Sequence, residues 1–174
     1  MSDRDSNIET ARQIITSLGL PRAQQNERSS LCLLALLNLT QGKSWADAEN
    51  PLMGITPIME WIREHYSKDY APNTRETIRR QTMHQFCDAG IALYNPGQPD
   101  RPVNSPKAVY QIEHAALALL RTFGTDAWHD MLTAYFAERE TLVARYAKER
   151  EQNRIPVEIA PGKKSPSVPA IIVN

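Results

Sequence analysis

One short stretch concentrates the polar chemistry of this chain. It reads Asn73-Thr74-Arg75-Glu76-Thr77-Ile78-Arg79-Arg80-Gln81-Thr82-Met83-His84-Gln85. Arginine binds the O6 and N7 of guanine through two parallel hydrogen bonds, and glutamine or asparagine binds adenine in the same way. Threonine hydroxyls and the positive end of a helix suit phosphates. Glu76 is the one acid among the three arginines of this stretch. Arg75, Arg79, Arg80, Gln81 and His84 are therefore candidates for base or phosphate contacts. Asn73, Thr74 and Thr77 are candidates for the helix cap and nearby phosphates. At 100° per residue, Met83, Phe86 and Cys87 mark one side of the helix, and Thr74, Thr77, Gln81, His84 and Gln85 lie opposite, with Arg80 beside them. Arg75 and Arg79 fall nearer the apolar flank, and Ile78 falls off the main stripe, so the wheel does not decide which arginines touch bases. The plain alternative is a solvated charged face. On its own, His84 reads as a hydrogen-bonded or solvated side chain. Trp45, Trp61 and Trp128 read as core anchors rather than stacking platforms.

The neighbouring elements give this stretch its setting. Ile55, Ile58, Met59, Ile62 and Tyr66 recur at helical spacing. Asn73 followed by Glu76 has the form of a capping box opening a second helix to about Asp88, which Ala89-Gly90 closes. A helix pair of this kind places its second member in a DNA major groove. Residues 91–94 and 108–112 read as two strands around a proline-rich loop at 95–106. They form a candidate wing, with Arg101 and Lys107 available for phosphate contact. Upstream lie a helix at 6–18, a helix at 24–39 whose contiguous apolar run Leu31–Leu37 marks it as buried, and a short turn that Ser44 opens. Downstream lie a helix at 113–122 and a long helix from Thr125 or Asp126 to about Gln152. The expected fold is mainly α: a helix-turn-helix or winged helix with a short two-stranded β-hairpin and a long C-terminal helix. Residues 1–154 form its domain. Residues 155–174, with their prolines and Lys163-Lys164, form an unstructured tail.

Composition narrows the function classes. The 174 residues carry 20 Lys plus Arg and 20 Asp plus Glu, so bulk positive charge is not a route to nucleic acid. No stretch reaches the apolar length of a membrane span, and the polar N-terminus has no signal-peptide pattern. Two cysteines, Cys32 and Cys87, each inside an apolar helical pattern, form neither a disulfide framework nor a zinc site. A reduced, cytoplasmic protein is expected. Phosphate-binding loops, nucleophile elbows and His-Glu-x-x-His motifs are absent from the sequence. His65, His84, His114 and His129 lack metal-ligand spacing. A metal-dependent nuclease needs clustered carboxylates and a nearby lysine. Pro99-Asp100 supplies the start of such a pattern, yet no lysine has Asp or Glu two residues before it. No catalytic or metal-binding residue is assigned.

Several long strings carry a resemblance. They are residues 50–56 (Asn-Pro-Leu-Met-Gly-Ile-Thr), 70–86 around the arginine cluster, 100–107 (Asp-Arg-Pro-Val-Asn-Ser-Pro-Lys) and 154–159 (Arg-Ile-Pro-Val-Glu-Ile). From about Leu18 to Lys163 the chain resembles the N-terminal helix-turn-helix part of type II restriction endonucleases of the BsuBI/PstI kind. The resemblance implies a family of Mg²⁺-dependent enzymes that cut double-stranded DNA at a short palindrome of the CTGCAG type. It assigns recognition to this part and cleavage to a following Pro-Asp…Asp/Glu-x-Lys domain. After Lys163 the sequence departs from that pattern and reads as a truncation or frameshift. The expectation is a recognition module, inactive alone, with no cofactor of its own and with double-stranded DNA as partner. A homodimer is compatible with it and a membrane partner is not. A stand-alone transcriptional or control protein, a protein-interaction module, and a decayed gene product without a role are the alternatives.

Overall fold

A computed structural model describes residues 3–97 and 107–140. The first helix, α1 (Asp3–Ser17), buries Ala11, Ile14 and Ile15, and Leu18 follows them into the core. The second, α2 (Glu27–Leu36), is the central helix expected from its composition: every residue from Ser29 to Leu36 is buried. It starts later than its apolar pattern suggests because Asn26 caps it. The Asn26 carboxamide oxygen accepts from the Ser29 backbone N–H at 2.8 Å, and Arg22–Gln24 forms a separate 3₁₀ turn. A further 3₁₀ turn spans Trp45–Asp47, but Ser44 does not cap it; its hydroxyl lies 3.1 Å from an Asp47 carboxylate oxygen.

The third helix, α3 (Ile55–Tyr66), buries Ile58, Trp61, Ile62 and Tyr66. Full burial of such side chains contributes about 1.5–3 kcal/mol each. Polar contacts then fix the orientation of α3. The Tyr66 hydroxyl donates to the Leu39 carbonyl at 2.7 Å and accepts from the Asn7 amide at 2.9 Å. The Arg4 Nε donates to the Tyr66 carbonyl at 2.6 Å, and the Trp61 indole N–H to the Asn38 side chain at 2.8 Å. Both α1 and the chain just after α2 are thereby tied to α3. Trp61 is the core anchor its sequence context suggests.

Helix α3 ends at Ser67, which is left-handed with φ 54°. Residues 67–73 lead into the next helical run, a longer link than the three or four residues of a minimal helix-turn-helix. That run is continuous from residue 74 to 88: α4 (Thr74–Ile78), a π-helical turn (Arg79–Met83) and α5 (His84–Asp88). It closes as expected. Gly90 sits at φ 79°, and the Ile91 N–H reaches back to the Phe86 carbonyl at 3.0 Å.

Strand β1 (Ala92–Tyr94) pairs antiparallel with β2 (Tyr110–Ile112), in the register Ala92↔Ile112, Leu93↔Gln111 and Tyr94↔Tyr110. Both are shorter than the apolar runs that mark them. Tyr110 also pairs with Met53, just before α3, through backbone bonds of 2.9 and 2.8 Å. This bridge brings Gly54 so close to the hairpin that a Cβ there would meet the Ala108 carbonyl at 3.1 Å. Helix α6 (His114–Leu120) is capped by Glu113, whose carboxylate accepts from the Ala115 and Ala116 N–H groups at 3.0 Å each. Phe123 meets Trp45 and Trp128 at ring distances of 5.9 and 5.0 Å. The chain divides into two compact units between Trp128 and His129. Residues 128–140 are helical, and in the second unit the Tyr135 and Phe136 rings meet edge to face at 5.8 Å. The expected continuation of this helix to Gln152, the loop at 98–106 and the tail at 155–174 lie outside the described residues.

Candidate nucleic-acid interface

The residues singled out in the arginine-rich stretch fall on one helical run whose phase is set by the π turn. Its buried residues are Ile78, Thr82, Met83 and Phe86. A uniform α-helix would bring Thr82 beneath Ile78 and rotate Met83 away. In the π turn the His84 N–H bonds to the Arg79 carbonyl, five residues back. The extra residue brings both Thr82 and Met83 inward with Ile78 and Phe86. Ile78 is thus fully buried, correcting its placement off the stripe on a straight wheel. Thr82 is fully buried as well, and its hydroxyl accepts from the Arg28 Nε on α2 at 3.0 Å.

The helix start also differs from expectation. Asn73 already has helical angles, φ −72° and ψ −7°, and its side chain makes no cap bond. The Thr74 and Arg75 N–H groups are met instead by the carbonyls of Ala71 and Pro72, at 2.9 and 3.2 Å. Glu76 does not reach back as a capping box requires. One of its oxygens, Oε2, accepts from both Arg79 and Arg80, the latter through Nε at 2.6 Å. The Arg79 hydrogen bond is the largest influence holding the Glu76 carboxyl below the usual carboxylate range, and Arg80 adds to it.

The candidate residues differ in exposure. Asn73, Arg75, Arg80 and Gln81 are exposed, and Thr74, Thr77, Arg79 and His84 are half-buried. The Arg80 side chain is 71 % exposed and that of Arg79 only 21 %. Arg79 lies on the side facing Tyr110, whose charge environment it shares. Tyr110 is fully buried, its hydroxyl has no hydrogen-bond partner among the described residues, and burial pushes its pKa up to about 12. His84 Nε2 is likewise buried and has no partner among the described residues. Lys107 is exposed just before β2, and Arg101 lies outside the described residues.

Residues 5–144 match the BsuBI/PstI restriction endonuclease HTH domain. The chain belongs to this family. The BsuBI/PstI-type chain is 62 % identical to the type II restriction enzyme BsuBI of Bacillus subtilis, over 91 % of its own length and 50 % of the relative's. It is 39 % identical to the type II restriction enzyme AplI of Arthrospira platensis, over 86 % of its length and 46 % of that protein's. The solved structure of the SdaI restriction endonuclease superposes with a TM-score of 0.72 at 35 % identity, covering 75 % of this chain and 41 % of that one. The BsuBI/PstI-type chain therefore spans about half the length of the curated relatives it matches. Arg28, Thr82 and the Met53–Tyr110 bridge escaped the sequence reading. The five-residue step from Ile78 to Met83, with a threonine between them, is the signal that points to the π turn.

Proposed function

We propose that this chain reads double-stranded DNA sequence-specifically, as the recognition part of a BsuBI/PstI-type restriction system, on a palindrome of the CTGCAG type. The observation that carries this reading is the division of the 74–88 run. Its apolar residues are locked inward, while Arg75, Arg80 and Gln81 stand exposed in a helix-turn-helix family domain. Arg80 and Gln81 have the chemistry to read guanine and adenine edges, and Asn73, Thr74 and Thr77 to meet phosphates. Arg79 and His84 flank the reading edge. The hairpin acts as a wing, supported by the Met53–Tyr110 bridge, with Lys107 and Arg101 serving the DNA backbone. A palindrome presents the same half-site twice, so two copies of the chain bind one duplex. Work on DNA places the protein in the cytoplasm.

The Mg²⁺ implied by the family has no fitting ligand set among the described residues: no group of three or more His, Cys, Asp or Glu side chains is placed to hold a metal. We propose no cleavage role for any described residue. Enrichment of bound duplexes from a randomised pool tests the reading. A CTGCAG-type palindrome should emerge. Recovery of unbiased sequences would refute sequence-specific recognition.

A further inference from the structure

Glu76 is the residue that the arginine cluster is built around. Its Oε2 accepts from Arg79 and from Arg80, and at Arg80 the donor is Nε, at 2.6 Å. A guanidinium has five N–H donors in a rigid fork. With Nε committed to Glu76, the fork's far end, Nη1 and Nη2, is not used by that bond. These nitrogens meet no acceptor among the described residues, and the side chain is 71 % exposed. That end is the one that grips guanine O6 and N7 bidentately. The same carboxylate cancels one of the two positive charges beside it and repels phosphates, so the pair is a weaker backbone binder than two loose arginines.

We infer that Glu76 is a positioning and specificity-determining residue: it presents Arg80 to a guanine and suppresses binding to DNA of arbitrary sequence. This inference rests on the DNA-reading function proposed above. It gives Glu76 two effects of opposite sign. On the cognate duplex Glu76 favours binding, by pre-ordering a long side chain that would otherwise lose rotamer freedom. On other duplexes it opposes binding.

The test is a binding titration of the full chain and its Glu76→Gln variant on a CTGCAG duplex and a scrambled duplex across a salt series. Circular dichroism confirms that the variant is folded. For Glu76→Gln we expect tighter binding to scrambled DNA and a salt slope steeper by about one unit. Preference for CTGCAG should fall about fivefold or more, the loss of one guanine contact. The double variant Glu76→Gln/Arg80→Ala should show the same preference as Arg80→Ala alone, because Glu76 acts through Arg80. If wild type prefers CTGCAG and Glu76→Gln keeps that ratio, the inference falls while the recognition function stands. Equal weakening on both duplexes would reduce Glu76 to a structural role and also overturn it. If the wild type itself shows no preference, the recognition function falls and takes this inference with it.

Discussion

Replacing Thr82 by valine probes what holds the π turn in place. The Thr82 hydroxyl is fully buried and accepts from the Arg28 Nε at 3.0 Å. A hydrogen bond to a charged donor contributes about 1.5–3 kcal/mol. Arg28 is only half-buried, so water re-solvates part of its guanidinium in the variant, which moves the expectation toward the lower end. Valine matches threonine in shape, but its extra methyl faces a guanidinium and recovers little. The predicted loss is about 1–2 kcal/mol. At about 2–4 °C per kcal/mol for a chain of this size, the melting temperature should drop by about 2–8 °C. Urea and thermal unfolding of Thr82→Val, Arg28→Met and the double variant measure it. The two single losses should be strongly non-additive, since each removes the same bond. Additive losses, or a Thr82→Val change within about 0.3 kcal/mol of zero, would show that this bond does not hold the turn.

Phe86→Ala should cost about 3–5 kcal/mol, because the ring is fully buried under the 74–88 run; a urea midpoint shift equivalent to less than about 1 kcal/mol would contradict its anchoring role. Burial pushes the fully buried Cys32 thiol up to about 12, so in the folded chain Cys32 should resist a disulfide reagent at pH 8 and react only on unfolding, whereas the half-buried Cys87 is the more accessible of the two. Rapid labelling of Cys32 in the native protein, read in a Cys87→Ala background, would count against this. The Glu76 carboxyl, lowered first by its Arg79 hydrogen bond, contributes stability that is present above the ordinary glutamate range and is lost as pH falls through the lowered value. Side-chain carboxyl NMR should show a midpoint below that range, returning toward it in Arg79→Ala. Lys107→Ala should weaken binding to specific and scrambled duplexes equally and reduce the salt slope by about 0.9; a selective loss on CTGCAG would make Lys107 a base reader.

The sequence made the larger elements legible where a single physical signal dominated. The unbroken run Leu31 to Leu37 marked α2 as the buried centre, and the Ile58–Ile62–Tyr66 spacing marked α3. Gly90 marked the end of the 74–88 run through its left-handed backbone. The site was harder to read because its phase depends on an interaction across the fold. Nothing local to Thr82 reveals that Arg28, 54 residues earlier, satisfies it. A straight wheel therefore left Ile78 unplaced, although it did put Arg80 by the polar face and Arg79 nearer the apolar flank, in line with their 71 % and 21 % exposure. Asn73 and Glu76 form a capping-box pattern, but the two arginines one turn on compete for the carboxylate and win it. The strands are three residues each, and single backbone bonds, Glu113 N–H to the Ile91 carbonyl at 2.9 Å and Asn95 N–H to the Val109 carbonyl at 2.7 Å, flank the ladder at its two ends.

Fluorescence anisotropy of the purified chain with a CTGCAG duplex and a scrambled duplex, repeated across a salt series, tests the central claim most directly. The exposed Arg80 and Gln81 edge predicts a preference for CTGCAG of about tenfold or more that persists as salt rises, because base contacts do not depend on counterion release. Binding that is equal on both duplexes and vanishes with salt would show that the 74–88 run meets only the phosphate backbone.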